Sequence, residues 1–217
     1  MNHSTVSAST ASAQTFSIKK TALAGMLVAL TVALSGFSIP IGASKCFPIQ
    51  HLVNVLAGVF LGPVYGVSMA FCVSLIRNIL GTGSLLAFPG SMVGAFLGAY
   101  LFQKTGRFLL AYLGEVVGTG IIGAIVSYPV MTLIWGRTGL TWFFYVPSFI
   151  AGTLIGGSLA FIFLKHLQKA HMLSTFQAAL GSQVYNNTDT VVNDSLGIAF
   201  LGFIGYLAAT VAVKQFV

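Results

Sequence analysis

The chain has 217 residues, of which 56% are apolar and only 6% are charged. A soluble domain carries about 25% charged residues, so this composition indicates an integral membrane protein. At about 20 residues a span it leaves room for roughly six or seven helices and no large extramembrane domain. The net charge of +7 comes from Lys and Arg residues scattered between apolar segments. That scatter is typical of membrane topology signals and argues against nucleic-acid binding.

The amino-terminal region predicts a disordered lead followed by a first transmembrane helix. Residues 1–17 are rich in Ser, Thr and Ala. Lys19 and Lys20 then precede an apolar run through Pro40. This run is longer than the roughly 7 to 15 residues of a cleavable signal core. We therefore predict a retained first helix.

Small residues recur four apart on this helix, at Gly25, Ala29 and Ala33. Four residues nearly complete a helical turn, so they form a flat strip that lets another backbone approach closely. The strip on helix 1 faces either the bundle or another protein. Later strips predict packing within the bundle and consist of Gly90, Gly94 and Gly98, of Gly114 and Gly118, and of Gly152 and Gly156.

Turn signals divide the rest of the chain into further apolar segments. We predict helices over residues 49–61, 63–80, 89–103, 107–135 and 141–167. With the first helix they make an all-α, polytopic membrane helix bundle with a six-helix core over residues 18–168. A polar linker over 169–194 leads to a last apolar run at 195–217, which is long enough for a seventh transmembrane helix.

The stretch from Gly81 to Met92 interrupts the membrane sequence with the residues Gly-Thr-Gly-Ser-Leu-Leu-Ala-Phe-Pro-Gly-Ser-Met. Such a sequence does not continue as a plain helix. Irregular backbone at membrane depth survives only where protein or a water-filled cavity satisfies its polar groups. The break therefore predicts a cavity that holds a solute.

The distribution of Lys and Arg predicts the orientation of the core. The residues on the side of the amino terminus are Lys19, Lys20, Lys104, Arg107, Lys165 and Lys169. Those on the opposite side are Lys45, Arg77, Arg137 and Lys214. Loops rich in Lys and Arg stay in the cytoplasm. We therefore predict a cytoplasmic amino terminus and a six-helix core with both ends inside.

One acidic residue, Glu115, falls within an apolar segment. An ionisable side chain inside the membrane faces the bundle interior and marks either a functional site or a buried ion pair that fixes helix packing. Arg77 ends the third predicted helix and reaches either down toward Glu115 or up to the lipid headgroups. We predict that the two residues pair, directly or through water.

Catalytic and metal-binding patterns are absent from the sequence. There is no clustered set of carboxylates, no nucleophile with a base and no phosphate-binding loop. Cys46 and Cys72 lack the spacing of a metal or redox pair, and no two of the four His residues are spaced as ligands. We therefore expect no enzyme activity, no cofactor and no metal.

Three runs of the chain carry a family resemblance. They are Asn54-Val-Leu-Ala-Gly-Val-Phe-Leu-Gly-Pro-Val-Tyr-Gly66, the run from Ser74 through Arg77-Asn78 to Met92, and Gly114-Glu-Val-Val-Gly-Thr-Gly-Ile-Ile-Gly123. Together these runs resemble the ThiW family. The resemblance spans about residues 20 to 168. The polar linker and the last apolar run extend beyond the six-helix pattern of that family.

The resemblance implies a substrate-binding S component of an energy-coupling factor (ECF) vitamin transporter. It implies a solute site on the outer side, the thiamine precursor hydroxyethylthiazole as substrate, and a multi-pass location in the plasma membrane of a prokaryote. Its implied partners are a transmembrane coupling protein and two ATPase subunits. The coupling protein would dock on the strip formed by Gly25, Ala29 and Ala33.

A neutral thiazole with a hydroxyl arm calls for aromatic stacking and a few hydrogen-bond donors. The residues predicted to supply them are Asn54, Arg77, Asn78, Thr82, Ser84, Glu115, Tyr128, Trp135 and Tyr145. The aromatic members are also typical of an interfacial belt that binds no ligand. Two alternatives remain open, namely an S component or stand-alone carrier for another small vitamin precursor, and a ligand-free structural membrane subunit.

Overall fold

A computed structural model describes residues 17–41 and 44–185, together with positions 195, 198–199, 201–206, 209–210 and 213. The predicted disordered lead lies outside these residues, apart from Ser17. The described chain is an all-α membrane bundle, as predicted. Its helices are α1 (Ile18–Ala33), α2 (Pro48–Leu61), α3 (Pro63–Ile79), α4 (Ala87–Thr105), α5 (Phe108–Glu115), α6 (Ala124–Pro129), α7 (Val146–Lys169) and α8 (Met172–Ala179).

Helices α5 and α6 belong to one continuous segment, with π-helical stretches at Val116–Gly123 and Val130–Ile134. Within the described part of the chain, three segments are long and apolar enough to cross a membrane, at Ile18–Gly36, Phe108–Ile134 and Val146–Lys169. Helices α2 and α3 are apolar but shorter. At 1.5 Å a residue, the 14 residues of α2 extend about 21 Å, less than the roughly 30 Å of a hydrocarbon core. Helix α2 therefore leaves space at one end of the bundle.

The prediction that helix 1 continues through Pro40 is wrong. Helix α1 ends at Ala33, and a 3-10 turn covers Leu34–Gly36. The chain then forms a hairpin in which β1 (Ile39–Ile41) pairs antiparallel with β2 (Ser44–Cys46). Proline has no N–H and clashes with the preceding turn of a helix, whereas an edge strand tolerates it.

The predicted break between α3 and α4 is a turn that folds back over the end of α3. The N–H groups of Thr82 and Gly83 both donate to the Arg77 carbonyl oxygen at 2.9 Å. Gly81 has φ +70°, a conformation that favours glycine. A Cβ on Gly83 would lie 3.0 Å from the Arg77 Cβ. The close approach of the turn therefore requires glycine, and it fixes the backbone that carries Arg77.

The predicted glycine strips pack within the bundle. A Cβ on Gly114 would lie 2.6 Å from the Gly98 Cα, and one on Gly118 would lie 2.6 Å from the Gly94 Cα. Helix α4 is thus in backbone contact with the continuous segment of α5 and α6 (Phe108–Ile134), the fifth segment of the bundle. The strip of α7 packs closely against α2. Such approach supplies the dispersion contacts that hold membrane helices together.

The strip of α1 faces away from the bundle. Gly25, Ala29 and Ala33 are all exposed, and a Cβ added to Gly25 would meet nothing within 4 Å. The opposite face of α1 packs on the core through Leu27 and Val28. Of the two orientations left open by the sequence, the structure therefore shows the outward one.

Part of the predicted polar linker is helical, because α8 lies within it. Two side chains tie this region to the end of the bundle where α4 ends, as Ser182 Oγ donates to the Phe60 carbonyl oxygen and Tyr185 Oη donates to the Gln103 carbonyl oxygen at 2.8 Å. The described positions from 195 onward are helical. Leu201 there is buried against the apolar cluster that contains α5 and α7 residues.

Candidate functional site

A cavity of about 320 Å³ lies at the end of the bundle where α3 ends and α2, α4 and α7 begin. Strand β2 and the turn between α3 and α4 complete its walls. Its polar lining residues are Ser44, Lys45, Gln50, His51, Arg77, Thr82, Ser84, Ser91, Thr119 and Ser148. Its larger apolar lining residues are Cys46, Phe47, Leu86 and Phe149. The predicted cavity is therefore present beside the predicted break.

Arg77 forms one wall of the cavity, and only 1% of the residue is exposed. Its Nη1 donates to Gln50 Oε1, and its Nη2 donates to the Thr82 carbonyl oxygen at 3.2 Å. The guanidinium carbon lies 3.9 Å from the centre of the Phe47 ring, which is a cation–π contact. Arg77 Nε is buried and has no partner among the described residues. The guanidinium is thus held in place while keeping donor capacity.

A chain of hydrogen bonds runs from Gln50 into the bundle. Gln50 Nε2 donates to Ser91 Oγ at 2.8 Å, and Asn54 Nδ2 donates to the same oxygen at 3.0 Å. Asn54 Nδ2 also donates to Glu115 Oε1 at 3.0 Å. Helix α2 supplies both amides, whose spacing of four residues places them on one face. These hydrogen bonds fix the rotamers of the side chains at the floor of the cavity.

Glu115 lies beneath the cavity and is fully buried. Besides the Asn54 bond, its Oε1 accepts hydrogen bonds from His51 Nδ1 at 2.8 Å and from Thr119 Oγ1 at 3.1 Å. Its Oε2 is buried without a partner among the described residues, beside Gly94, where an added Cβ would lie 2.7 Å away. The close approach of α4 thus leaves room for a carboxylate but for no further side chain.

The predicted direct pairing of Glu115 with Arg77 is wrong. Glu115 Oε1 instead lies 2.8 Å from His51 Nδ1, and Arg77 donates to Gln50 and to the turn. The sequence argument compared only the depths of the two residues along their own helices. It did not include the polar side chains of α2, which lie between the two residues. These side chains hydrogen-bond to both the Glu115 carboxylate and the Arg77 guanidinium.

The structure divides the predicted polar site residues into three groups. Those that line the cavity are Arg77, Thr82 and Ser84. Those that support the floor from below are Asn54 and Glu115. Asn78 instead stabilises the turn, because its Nδ2 donates to the carbonyl oxygens of Ser74 at 2.7 Å and Ser84 at 3.0 Å.

The predicted aromatic residues do not line the cavity. The Tyr128 ring contacts that of Trp142 at a tilt, with ring centroids 4.5 Å apart, and 62% of Trp135 is exposed. Tyr145 is buried, and its ring contacts that of Phe149 at 6.2 Å. Tyr145 therefore supports a lining residue, whereas the placement of Tyr128 and Trp135 is typical of an interfacial belt.

The lining residues that sequence reasoning missed include Phe47, Gln50, His51, Ser91, Thr119 and Phe149. A signal for the α2 members was present, because Gln50, His51 and Asn54 are polar residues within one turn of an apolar helix. Ser91 lies one turn into the helix that follows the break. Phe47 and Phe149 carry no such signal, since phenylalanine is frequent throughout the chain.

Cys46 also lines the cavity, whereas Cys72 is exposed on α3. Burial raises the pKa of the Cys46 thiol above its usual value. The thiol is therefore a poor nucleophile at neutral pH. Its position nevertheless makes it a reporter of cavity occupancy.

Fold and site together define a helical membrane protein that encloses a polar cavity at one end of its bundle. Within that class, the chain belongs to the ThiW family, thiamine-precursor transporter proteins, whose family model matches residues 21–170. The match includes every residue that lines the cavity. None of the curated proteins compared with the chain matches it. The resemblance found in the sequence is thus confirmed at the level of the family, and with it the role in transport of a thiamine precursor.

Proposed function

We propose that the protein is the substrate-binding subunit of an ECF-type importer and captures hydroxyethylthiazole at the outer side of the membrane. The observation that carries the proposal is the cavity beside the α3–α4 turn in a chain of the thiamine-precursor transporter family. Its volume of about 320 Å³ lies at the lower end of the roughly 300–1,000 Å³ of ligand pockets. A small precursor suits it better than a whole vitamin.

The lining of the cavity supports a thiazole ligand. Phe47 and Phe149 offer ring faces for an aromatic heterocycle. Arg77 offers donors to a ring nitrogen or a hydroxyl oxygen, and Thr82 and Ser84 offer further polar contacts. Such a mixture of ring faces and a few fixed polar groups is typical of small-molecule sites.

The position of the cavity supports capture from outside. Thr21 Oγ1 in α1 lies 3.3 Å from Tyr65 Oη in α3, so both helices begin at the same end of the bundle. That end carries Lys19 and Lys20, and positive loops stay in the cytoplasm. The cavity lies where α3 ends, at the far end of the bundle. With the amino terminus inside, the cavity is at the outer side.

The outward strip of α1 supports a docking role. Gly25, Ala29 and Ala33 leave a flat, exposed surface on which another helix backbone can pack. We propose that the transmembrane coupling protein of the importer binds this strip, with two ATPase subunits supplying the energy. The chain itself lacks a phosphate-binding loop.

Equilibrium titration of the purified protein with hydroxyethylthiazole, with the pyrimidine precursor and with thiamine tests the proposed substrate. We expect hydroxyethylthiazole to bind most tightly. Phe149→Ala should weaken binding about fivefold or more, because it removes a stacking face worth about 1 kcal/mol or more. Phe144→Ala is the matched control, since its ring also contacts Tyr145, at 5.1 Å, but lies outside the cavity lining.

Each alternative has its own outcome. Tighter binding of the pyrimidine precursor would assign the other half of thiamine as substrate. Binding of none of the three compounds would favour a ligand-free structural subunit. Uptake of radiolabelled thiazole by cells that lack the coupling protein would identify a stand-alone carrier and contradict the ECF assignment.

A further inference from the structure

Among the residues that the structure describes, the guanidinium of Arg77 has no anionic partner. Among the described residues Glu115 supplies the only carboxylate, and it hydrogen-bonds to His51 rather than to Arg77. The bonds that Arg77 makes go to neutral oxygens, those of Gln50 and the Thr82 carbonyl, and to the face of the Phe47 ring. The wall of the cavity therefore carries a buried positive charge that these contacts solvate without neutralising.

Arg77 also keeps unused donors. A guanidinium has five N–H groups, and the structure shows two hydrogen bonds from Nη1 and Nη2. The Nε atom is buried and unpartnered among the described residues. A buried charge with unsatisfied donors is costly unless a partner completes it. Because the side chain lines the cavity, a hydrogen-bond acceptor on a ligand can meet the guanidinium N–H groups that face the cavity.

We infer that Arg77 makes the cavity a selector of charge: it binds thiazoles whose ring is neutral or whose arm is anionic, and it excludes the quaternary thiazolium. This inference rests on the proposed function and adds a rule for the substrate. The ring nitrogen of the free precursor has a lone pair that accepts a hydrogen bond. The ring nitrogen of thiamine is alkylated, so it accepts none and carries a permanent positive charge.

The expected discrimination is large. Two positive charges about 5 Å apart in surroundings of effective dielectric constant about 20 repel strongly enough to weaken binding about 100-fold. The loss of an acceptor for a buried donor acts in the same direction. The protein would thus take up the precursor without being blocked by finished thiamine.

The test compares ligands of matched size on matched variants. The probes are hydroxyethylthiazole, its N-methylated thiazolium, and the thiazole that carries an acetate in place of the hydroxyethyl arm. The variants are Arg77→Gln, which removes the charge, and Arg77→Lys, which keeps it. Lys45→Gln is the control, because Lys45 also lines the cavity but is exposed to solvent, where its charge is screened.

We expect the native protein to bind neutral hydroxyethylthiazole about 100-fold more tightly than the thiazolium, and the acetate at least as tightly as the alcohol. Arg77→Gln should reduce the preference for the neutral ring over the thiazolium to about tenfold or less. Arg77→Lys and Lys45→Gln should keep most of it. A purely structural role of Arg77 would lower all three affinities together and leave their ratios unchanged.

Two results would overturn the inference. If the native protein binds the thiazolium as well as the neutral thiazole, Arg77 is not a charge selector, and the proposed function stands. The same conclusion follows if Arg77→Gln leaves the ratio unchanged. If the native protein binds none of the three probes, the proposed function fails, and the inference fails with it.

Discussion

Glu115→Gln tests the network beneath the cavity. Three hydrogen bonds end on Glu115 Oε1, from His51, Asn54 and Thr119. Hydrogen bonds to a charged group are worth about 1 kcal/mol more than neutral ones, so removing the charge costs about 3 kcal/mol. The new amide nitrogen would replace the unpartnered Oε2 beside Gly94 and leave a buried donor unsatisfied. The free energy of unfolding should therefore fall by about 3 to 5 kcal/mol.

Thermal unfolding in detergent measures this loss. For a chain of this size 1 kcal/mol corresponds to about 2–4 °C, so we expect the melting temperature to drop by about 6 to 20 °C. A double-mutant cycle then identifies the partner. Glu115→Gln with His51→Gln should lose less than the sum of the single changes by about 1 kcal/mol or more, because the two residues share a 2.8 Å hydrogen bond.

The control for the cycle is Tyr185→Phe, which removes a hydrogen bond to the Gln103 carbonyl oxygen at the other end of the bundle. Its effect should add to that of Glu115→Gln within about 0.5 kcal/mol. Strict additivity between His51 and Glu115 would refute the reasoning. So would a Glu115→Gln protein that melts within about 2 °C of the native one.

Three further predictions concern docking, occupancy and topology. Ala29→Leu should reduce co-purification with the coupling protein and leave the affinity for the thiazole unchanged. The control Cys72→Leu, which adds bulk at an exposed site on α3, should retain association. Loss of thiazole affinity with association intact would contradict the docking role. With Cys72 replaced by Ser, hydroxyethylthiazole should protect Cys46 from alkylation by maleimide. Alkylation without ligand should accelerate as pH rises, because burial raises the pKa of the Cys46 thiol. Equal alkylation rates with and without ligand would place the ligand elsewhere. A reporter fused after Gln168 should be cytoplasmic, and one after Val217 external if residues 195–217 span the membrane; an external signal after Gln168 would reverse the proposed orientation.

The parts of the fold that depend on local rules were predictable from the sequence. The glycine spacing of four predicted close packing within the bundle, because small residues permit backbone contact between membrane helices. The structure shows such contact between α4 and the segment that contains α5 and α6. The run from Gly81 predicted the break and the cavity beside it, because irregular backbone needs polar surroundings at membrane depth. Composition and periodicity carry both signals without knowledge of the tertiary structure.

The arrangement of the polar groups was not predictable in this way. Which side chain meets the Glu115 carboxylate depends on how α2 is rotated about its axis between α3 and the segment that contains α5 and α6. That rotation follows from packing. Thus His51, and not Arg77, reaches Glu115. The sequence did not predict the β1–β2 hairpin for another reason, since Ile39 and Ile41 are apolar residues that are also compatible with the end of a membrane helix. Only Pro40 between them opposed that interpretation.

The turn after α3 and the side chain of Arg77 act as one unit. The Arg77 carbonyl oxygen accepts the N–H groups of Thr82 and Gly83, and the Thr82 carbonyl oxygen in turn accepts a hydrogen bond from Arg77 Nη2. The same residue thus satisfies the irregular backbone of the turn and is positioned by it. A positive charge that caps a turn in this way supplies both the polar surroundings that the break requires and the donor that a ligand meets. The break in the sequence and the charge of the site therefore have a common physical origin.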